Sequence, residues 1–270
     1  LSVLGFFDSG FGGLSVVREV RKKLPNHALV YLGDNARTPY GGLSPETIYG
    51  YTLQGVVELF NRGANPVVLA CNTSSSVALR RIQQEFLPVN HPDKRVLGIV
   101  IPTAEEVSRR SVTKVIGILA TEVTVASQAY PQEIYKIDSS VDVIQQACPL
   151  LVPLIESGEL GQAEGVVRPY IERLLGNDRR IDTILLGCTH FALIEETIRK
   201  IVPPEIRIVS QGTIVADKLE NYLARHPEFG TQMELTGVAT FLTTEYSGRT
   251  ATLATQFYGS PIVMETISLS

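Results

Sequence analysis

Pro66-Val67-Val68-Leu69-Ala70-Cys71-Asn72-Thr73 is a short, β-branched apolar run that reaches a small residue and a cysteine and passes at once into helical sequence. Too brief to be a helix, it reads as a buried strand. The chain later does the same again. Ile181-Asp182-Thr183-Ile184-Leu185-Leu186-Gly187 has the strand pattern and delivers Cys188-Thr189-His190, after which residues 191–198 continue as a helix. Two strands therefore present two thiols in one order: a small residue, a cysteine, then a hydroxyl or amide side chain. Open α/β sheets bind ligands at the carboxyl ends of their strands, so both thiols are candidates for a site.

Outward from these strands, residues 3–7 read as a strand, followed by the turn Asp8-Ser9-Gly10-Phe11-Gly12-Gly13 and an amphipathic helix over 14–24. The turn is not G-x-G-x-x-G and no P-loop lysine follows it, so it reads as a strand-to-helix turn with substrate contact. A second strand covers 28–32. Ser44 is placed as N-cap and Pro45 at the first position of a helix to about Arg62. The helix after Cys71 is expected to end near Phe86, with a linker over 88–94. Strands at 96–101, 115–119, 141–144 and 183–187 then alternate with helical patterns at 104–110, 124–130, 150–156 and 159–175. That alternation predicts a parallel sheet with helices on both faces. Strands at 206–210 and 238–243 flank a helix at 214–224, and the tail is expected to return to the first sheet. The division that follows is residues 1–95 plus 207–270, carrying Cys71, and 96–206, carrying Cys188.

With 270 residues, 44% hydrophobic and 19% charged, the composition is that of a globular chain with a large core. A formal charge of −4 offers nothing to attract nucleic acid. No apolar run approaches the roughly 18 residues of a membrane helix. The N-terminus shows no secretory pattern, and three cysteines fit a reducing compartment better than a disulfide framework, so a cytoplasmic protein is expected.

A lone strand-end cysteine is most often a small core residue, and Cys148, before Pro149, reads that way. Cys71 and Cys188 differ in their neighbours, Asn72-Thr73 and Thr189-His190, and in standing where helices begin, which favours thiolate. Lowering a thiol from about 8.5 by ~1.5 units needs roughly 2 kcal/mol, within reach of a partly buried helix terminus. Two thiols facing one cleft suit inversion of a carbon bearing a weakly acidic proton. A base on one face must be matched by an acid on the other, because a single group returns the proton where it found it. Zinc is a poor alternative, since C-x-H is not a usual ligand spacing. His190 alone would read as structural, and Glu156 as an exposed carboxylate.

Six stretches taken in order, Phe7-Asp8-Ser9-Gly10 with Gly12-Gly13, Tyr31-Leu32-Gly33-Asp34, Pro39-Tyr40-Gly41, Ala70-Cys71-Asn72-Thr73, Cys148-Pro149 with Val152-Pro153, and Leu186-Gly187-Cys188-Thr189-His190, resemble the glutamate racemase family. The resemblance covers nearly the whole chain. It implies two doubly wound, flavodoxin-like α/β domains related by pseudo-symmetry, with the active site in the cleft between them. It implies racemization of glutamate without a cofactor, Cys71 deprotonating D-glutamate and Cys188 L-glutamate, in a cytoplasmic homodimer that supplies D-glutamate for peptidoglycan. By the same resemblance Asp8, Ser9, Tyr40, Gly41, Asn72, Thr73, Thr189 and His190 hold the substrate, and Asp8, Glu156 and His190 tune proton transfer. Departures from the family pattern stand at Asn35, Ala120, Phe191-Ala192 and Gln211-Gly212, and none removes a proton-transfer group. The rivals are another two-thiol enzyme of this fold (an aspartate or hydantoin racemase, a maleate isomerase), a binding protein for a small anion, and a cysteine hydrolase using Cys188 and His190. The hydrolase ranks last, because residues so close in sequence rarely aim an imidazole at the thiol.

Overall fold

Ten strands form two all-parallel sheets in a computed structural model that describes residues 1–269, apart from the Arg249 side chain. The first sheet holds β1 (Val3–Asp8), β2 (Leu29–Gly33), β3 (Ala64–Leu69), β4 (Val96–Gly98), β9 (Ala239–Thr243) and β10 (Glu265–Thr266). Its order is β10-β9-β2-β1-β3-β4. The second holds β5 (Val115–Ala120), β6 (Asp142–Ala147), β7 (Thr183–Gly187) and β8 (Arg207–Val209) in the order β6-β5-β7-β8. Within both runs the order is second, first, third, fourth, the doubly wound pattern whose switch point lies between the first and third strands. Cys71 follows β3 and Cys188 follows β7. Each thiol thus leaves the third strand of its sheet at the switch point, which is the structural content of the repeated sequence order.

Two strands fall on the other side of the expected division. β4 pairs with β3, Val67 opposite Val96, so it belongs with the Cys71 sheet. β8 pairs with β7, Thr183 opposite Arg207, so it belongs with the Cys188 sheet. The strand expected over 96–101 is also shorter, because Val100 already begins the helix Val100–Arg110. β9 and β10 do return to the first sheet, β9 in register with β2 from Leu29–Ala239 to Gly33–Thr243.

The strands buried on both faces are near-continuous apolar runs, as a covered parallel sheet requires. The helix Leu14–Lys23 buries Leu14, Val16, Val17 and Val20 and ends on Arg21, Lys22 and Lys23, where cations suit the helix dipole. It packs on the helix Gly212–Arg225, which carries the chain back from β8. Each fully buried Leu, Val or Phe in these faces contributes roughly 1.5–3 kcal/mol. Ser44 caps Pro45–Asn61 by accepting from the Thr47 amide at 3.2 Å, an arrangement worth about 1 kcal/mol.

Helix continuity is where local pattern misleads. After Cys71 the helical path is segmented as Asn72–Val77, Leu79–Arg81, a π turn over Ile82–Phe86 and Leu87–Asn90. Pro88 lies in the first turn of the last segment and has no amide to give the preceding turn, which widens instead of stopping. The expected helix over 124–130 is broken at Gln128, whose φ of 55° separates Glu122–Ser127 from Ala129–Ile137. The helix Gly248–Tyr258, absent from the sequence reading, starts at a capping box formed by Ser247 and Thr250.

Candidate active site

Ser9, Tyr40, Gly41, Asn72, Thr73, Thr189 and His190 line one narrow cavity together with both thiols, Cys71 and Cys188. It lies where the carboxyl ends of the two sheets meet, and Pro39, Thr121 and Val152 complete its wall.

Cys71 is the N-cap of Asn72–Val77, and its sulfur accepts from the Ser74 amide at 3.4 Å while lying 3.2 Å from the Ser9 hydroxyl. These contacts favour thiolate. Burial opposes them, the neighbouring Asp8 carboxylate adds to burial, and together they push the Cys71 thiol up. The expectation that a helix start alone lowers this thiol is therefore corrected. A six-residue helix is outweighed by desolvation and a like charge.

Cys188 opens the 3₁₀ segment Thr189–Ile194. This tight turn lets a residue two positions on fold back toward the sulfur, and His190 Nδ1 lies 3.9 Å from Cys188 Sγ. The imidazole therefore does reach the thiol, although the two residues are only two positions apart. His190 Nε2 meets Glu156 Oε1 at 2.5 Å, and Phe257 packs edge-on at 5.4 Å between ring centres. Burial disfavours the imidazolium, but hydrogen bonds to Cys188 and Glu156 and the charge of Glu156 prevail, holding His190 well above its usual value of 6.5. Glu156, at the end of the helix Leu151–Glu156, is thus drawn into the site and is not the exposed carboxylate that its sequence context suggests. Gly12 permits this packing: a Cβ there would come within 2.6 Å of His190 Nδ1 and of Thr189 Oγ1.

Asp8 is fully buried at the end of β1. Its Oδ2 accepts from the Gly10 amide at 3.0 Å, while Oδ1 has no hydrogen-bond partner. Burial raises its pKa, against the pull of His190 and the Gly13 and Gly10 amides. A buried carboxylate oxygen without a donor fits a ligand ammonium.

The side chains of the remaining residues are engaged within the protein. The Tyr40 hydroxyl is taken by the Asp34 carboxylate, which also receives Arg37 Nε at 2.6 Å and Thr244 Oγ1 at 2.9 Å. Tyr40 therefore anchors its loop and sets Gly41 against Thr121, where a Cβ on Gly41 would come within 2.9 Å of Thr121 Cβ. Thr73 Oγ1 lies 3.0 Å from Thr121 Oγ1, joining the ends of β3 and β5 across the two sheets. The Asn72 amide is bonded to Gln211 and Tyr130. Sequence alone does not single out Thr121, which lines the cavity, or Tyr130, Gln211 and Phe257, which lie behind it against Asn72 and His190. The position of Thr121 after β5, matching that of Ser9 beyond β1 at the switch point, was the available signal for one of them. Cys148 is buried in the core with its thiol pushed up chiefly by burial, in keeping with a structural role. Among the described residues no cluster of three or more His, Cys, Asp or Glu side chains is placed to hold a metal, and no helix is long and apolar enough to cross a membrane.

Residues 14–219 match the family described as Asp/Glu/hydantoin racemase. The glutamate racemase of Roseobacter denitrificans is 40% identical over 264 residues, spanning 94% of this chain and 96% of that protein. The fold is similar to that of a glutamate racemase isoform from Bacillus anthracis, with a TM-score of 0.89 at 28% identity, covering 99% of this chain and 98% of the other. It is also similar to the glutamate racemase of Francisella tularensis solved in complex with D-glutamate, with a TM-score of 0.86 at 26% identity and coverage of 99% and 98%.

Proposed function

The chain belongs to the Asp/Glu/hydantoin racemase family, and from that premise we propose that it interconverts L- and D-glutamate by passing a proton between Cys71 and Cys188. It is an amino-acid racemase, an isomerase. The observation that carries the two-cysteine reading is that both thiols, each following the third strand of its own sheet, line the same cavity.

In this scheme the Cys71 thiolate removes the α-proton of D-glutamate, and the resulting planar carbanion receives a proton from the Cys188 thiol on its opposite face, giving L-glutamate. The return path exchanges the roles. Asp8 Oδ1 accepts the substrate ammonium, which brings a positive charge next to Cys71 and offsets the carboxylate that opposes its thiolate. His190, held protonated by Glu156, stands with Nδ1 3.9 Å from Cys188 Sγ, placed to donate to that sulfur. Backbone amides and hydroxyls of Ser9, Gly41, Asn72, Thr73 and Thr189 take the carboxylates. Two domains that follow the sheets open to admit substrate to a cavity this narrow. Peptidoglycan supply, a cytoplasmic setting and a homodimer belong to the same proposal, by family resemblance.

The test is incubation of the wild-type protein with D-glutamate, and separately L-glutamate, in deuterated water without added cofactor. The expected result is inversion with solvent deuterium at Cα of the product. Binding without inversion or α-exchange would leave the small-anion binding protein, and faster turnover of aspartate would leave the aspartate reading.

The Glu156–His190 contact carries its own expectation. With Glu156→Gln the imidazolium loses its carboxylate, so His190 gives up its proton at lower pH. The alkaline limb of kcat/KM moves to lower pH, and activity in the neutral range drops about tenfold. An unmoved limb would mean that Glu156 only packs. The linkage has the matching sign. His190, with its folded pKa raised, adds stability that is fully present below 6.5 and is lost as pH rises through the folded value.

A further inference from the structure

Asn72 directly follows Cys71, and its side chain lies in a closed set of hydrogen bonds with groups from two distant parts of the chain. Asn72 Nδ2 donates to Gln211 Oε1 at 2.7 Å, and Gln211 Nε2 donates to Asn72 Oδ1 at 2.7 Å and to the Tyr130 hydroxyl at 2.6 Å. Tyr130 completes the set by donating to Asn72 Oδ1 at 2.6 Å. All three side chains are buried. Gln211 stands between β8 and the helix Gly212–Arg225, where the chain passes from one sheet back toward the other. Nothing in the mechanism above uses it.

Both lone pairs of Asn72 Oδ1 are occupied by these two donors, and one of the two Nδ2 hydrogens is engaged. The other is left uncommitted on a residue that lines the cavity. A flipped Asn72 amide would set its oxygen against Gln211 Oε1 and its NH₂ against Gln211 Nε2, losing both bonds of the reciprocal pair. We propose that Gln211 is a positioning residue for racemization: the reciprocal amide pair locks Asn72 so that its uncommitted N–H donates to a substrate carboxylate. As the α-proton leaves, charge spreads onto the α-carboxylate, so a donor fixed there binds the transition state more strongly than the ground state. This rests on the racemase reading and extends it to a residue outside the cavity lining.

Wild type, Gln211→Glu and Gln211→Met are compared by kcat and KM in both directions across pH. The titratable groups around position 211 are Tyr130, which Gln211 contacts directly, and Cys188, Arg18, Glu19, Arg110, Glu195 and Arg199, which line with Gln211 a second cavity beside the first. In acid the introduced carboxyl of Gln211→Glu is protonated, donates where Nε2 did and accepts from Asn72 Nδ2, so kcat stays close to wild type. As pH rises it ionises, loses that donor and faces Asn72 Oδ1, and its kcat relative to wild type falls about tenfold. Gln211→Met is lowered by about the same factor at every pH, in kcat more than in KM. A ratio for Gln211→Glu that is flat with pH, or a Gln211→Met protein with wild-type kcat per folded molecule, overturns the proposal. An inert wild type overturns the racemase reading with it, whereas an active wild type with a flat ratio overturns this inference alone.

Discussion

Cys71→Ser and Cys188→Ser each lower kcat/KM for racemization by about a thousandfold, to the same extent in both directions. The equality is thermodynamic. The enantiomers have equal free energy in water, so the ratio of the two kcat/KM values stays at unity whatever is done to the enzyme. The size follows from the chemistry: a serine hydroxyl ionises too weakly to replace a thiolate as base, and it is a poorer acid toward a carbanion. The fold survives, because a hydroxyl at position 71 can still accept from the Ser74 amide, as the sulfur does at 3.4 Å, and can bond to Ser9. What separates the two variants is exchange without inversion. In deuterated water Cys188→Ser keeps Cys71 as base and washes deuterium into D-glutamate, while Cys71→Ser does so with L-glutamate. Isotope exchange read by proton NMR on each enantiomer assigns each thiol to its face. If either variant retained more than about a tenth of wild-type racemization, one base would suffice and the two-thiol scheme would fail.

The two thiols were legible because their signal is local. A β-branched run, a small residue and a cysteine at the head of a helix are contiguous, and parallel sheets make that order meaningful. What was not legible depends on contacts that sequence order does not encode. The three residues of β4 read as a strand, but nothing in Val96-Leu97-Gly98 says whether β3 or β5 is the partner. Glu156 and His190 stand 34 residues apart, and the first meets the second only because the 3₁₀ turn after Cys188 carries the imidazole inward. The direction of the Cys71 shift is hidden from sequence for the same reason. Its helix start is visible in sequence, whereas Asp8 reaches it from the neighbouring strand β1. In sequence Gln211 is only a departure from a family pattern, and the fold shows that it grips Asn72.

Asp8→Asn makes the protein more stable and nearly inactive. In the free protein Asp8 is buried at the end of β1 with one oxygen unpartnered, and its pKa is raised by that burial. A carboxyl whose folded pKa lies above its unfolded value costs stability once pH passes the unfolded value, and the cost grows until the folded value is reached. At neutral pH the neutral amide removes this cost, and Tm rises by about 2–4 °C. The same change takes away the charge proposed to receive the substrate ammonium, and kcat/KM falls about a hundredfold or more, as expected when one partner of a buried charge pair is removed. A third readout separates electrostatics from simple damage. Without the carboxylate beside it the Cys71 thiol ionises more readily, so its alkylation by iodoacetamide, followed by peptide mass, moves to lower pH even as racemization is lost. Slower alkylation, or a fall in Tm, would show that Asp8 holds the β1 turn in place and that its charge is not what the site uses. Gain of stability with loss of activity identifies a group kept for the ligand at the expense of the empty fold.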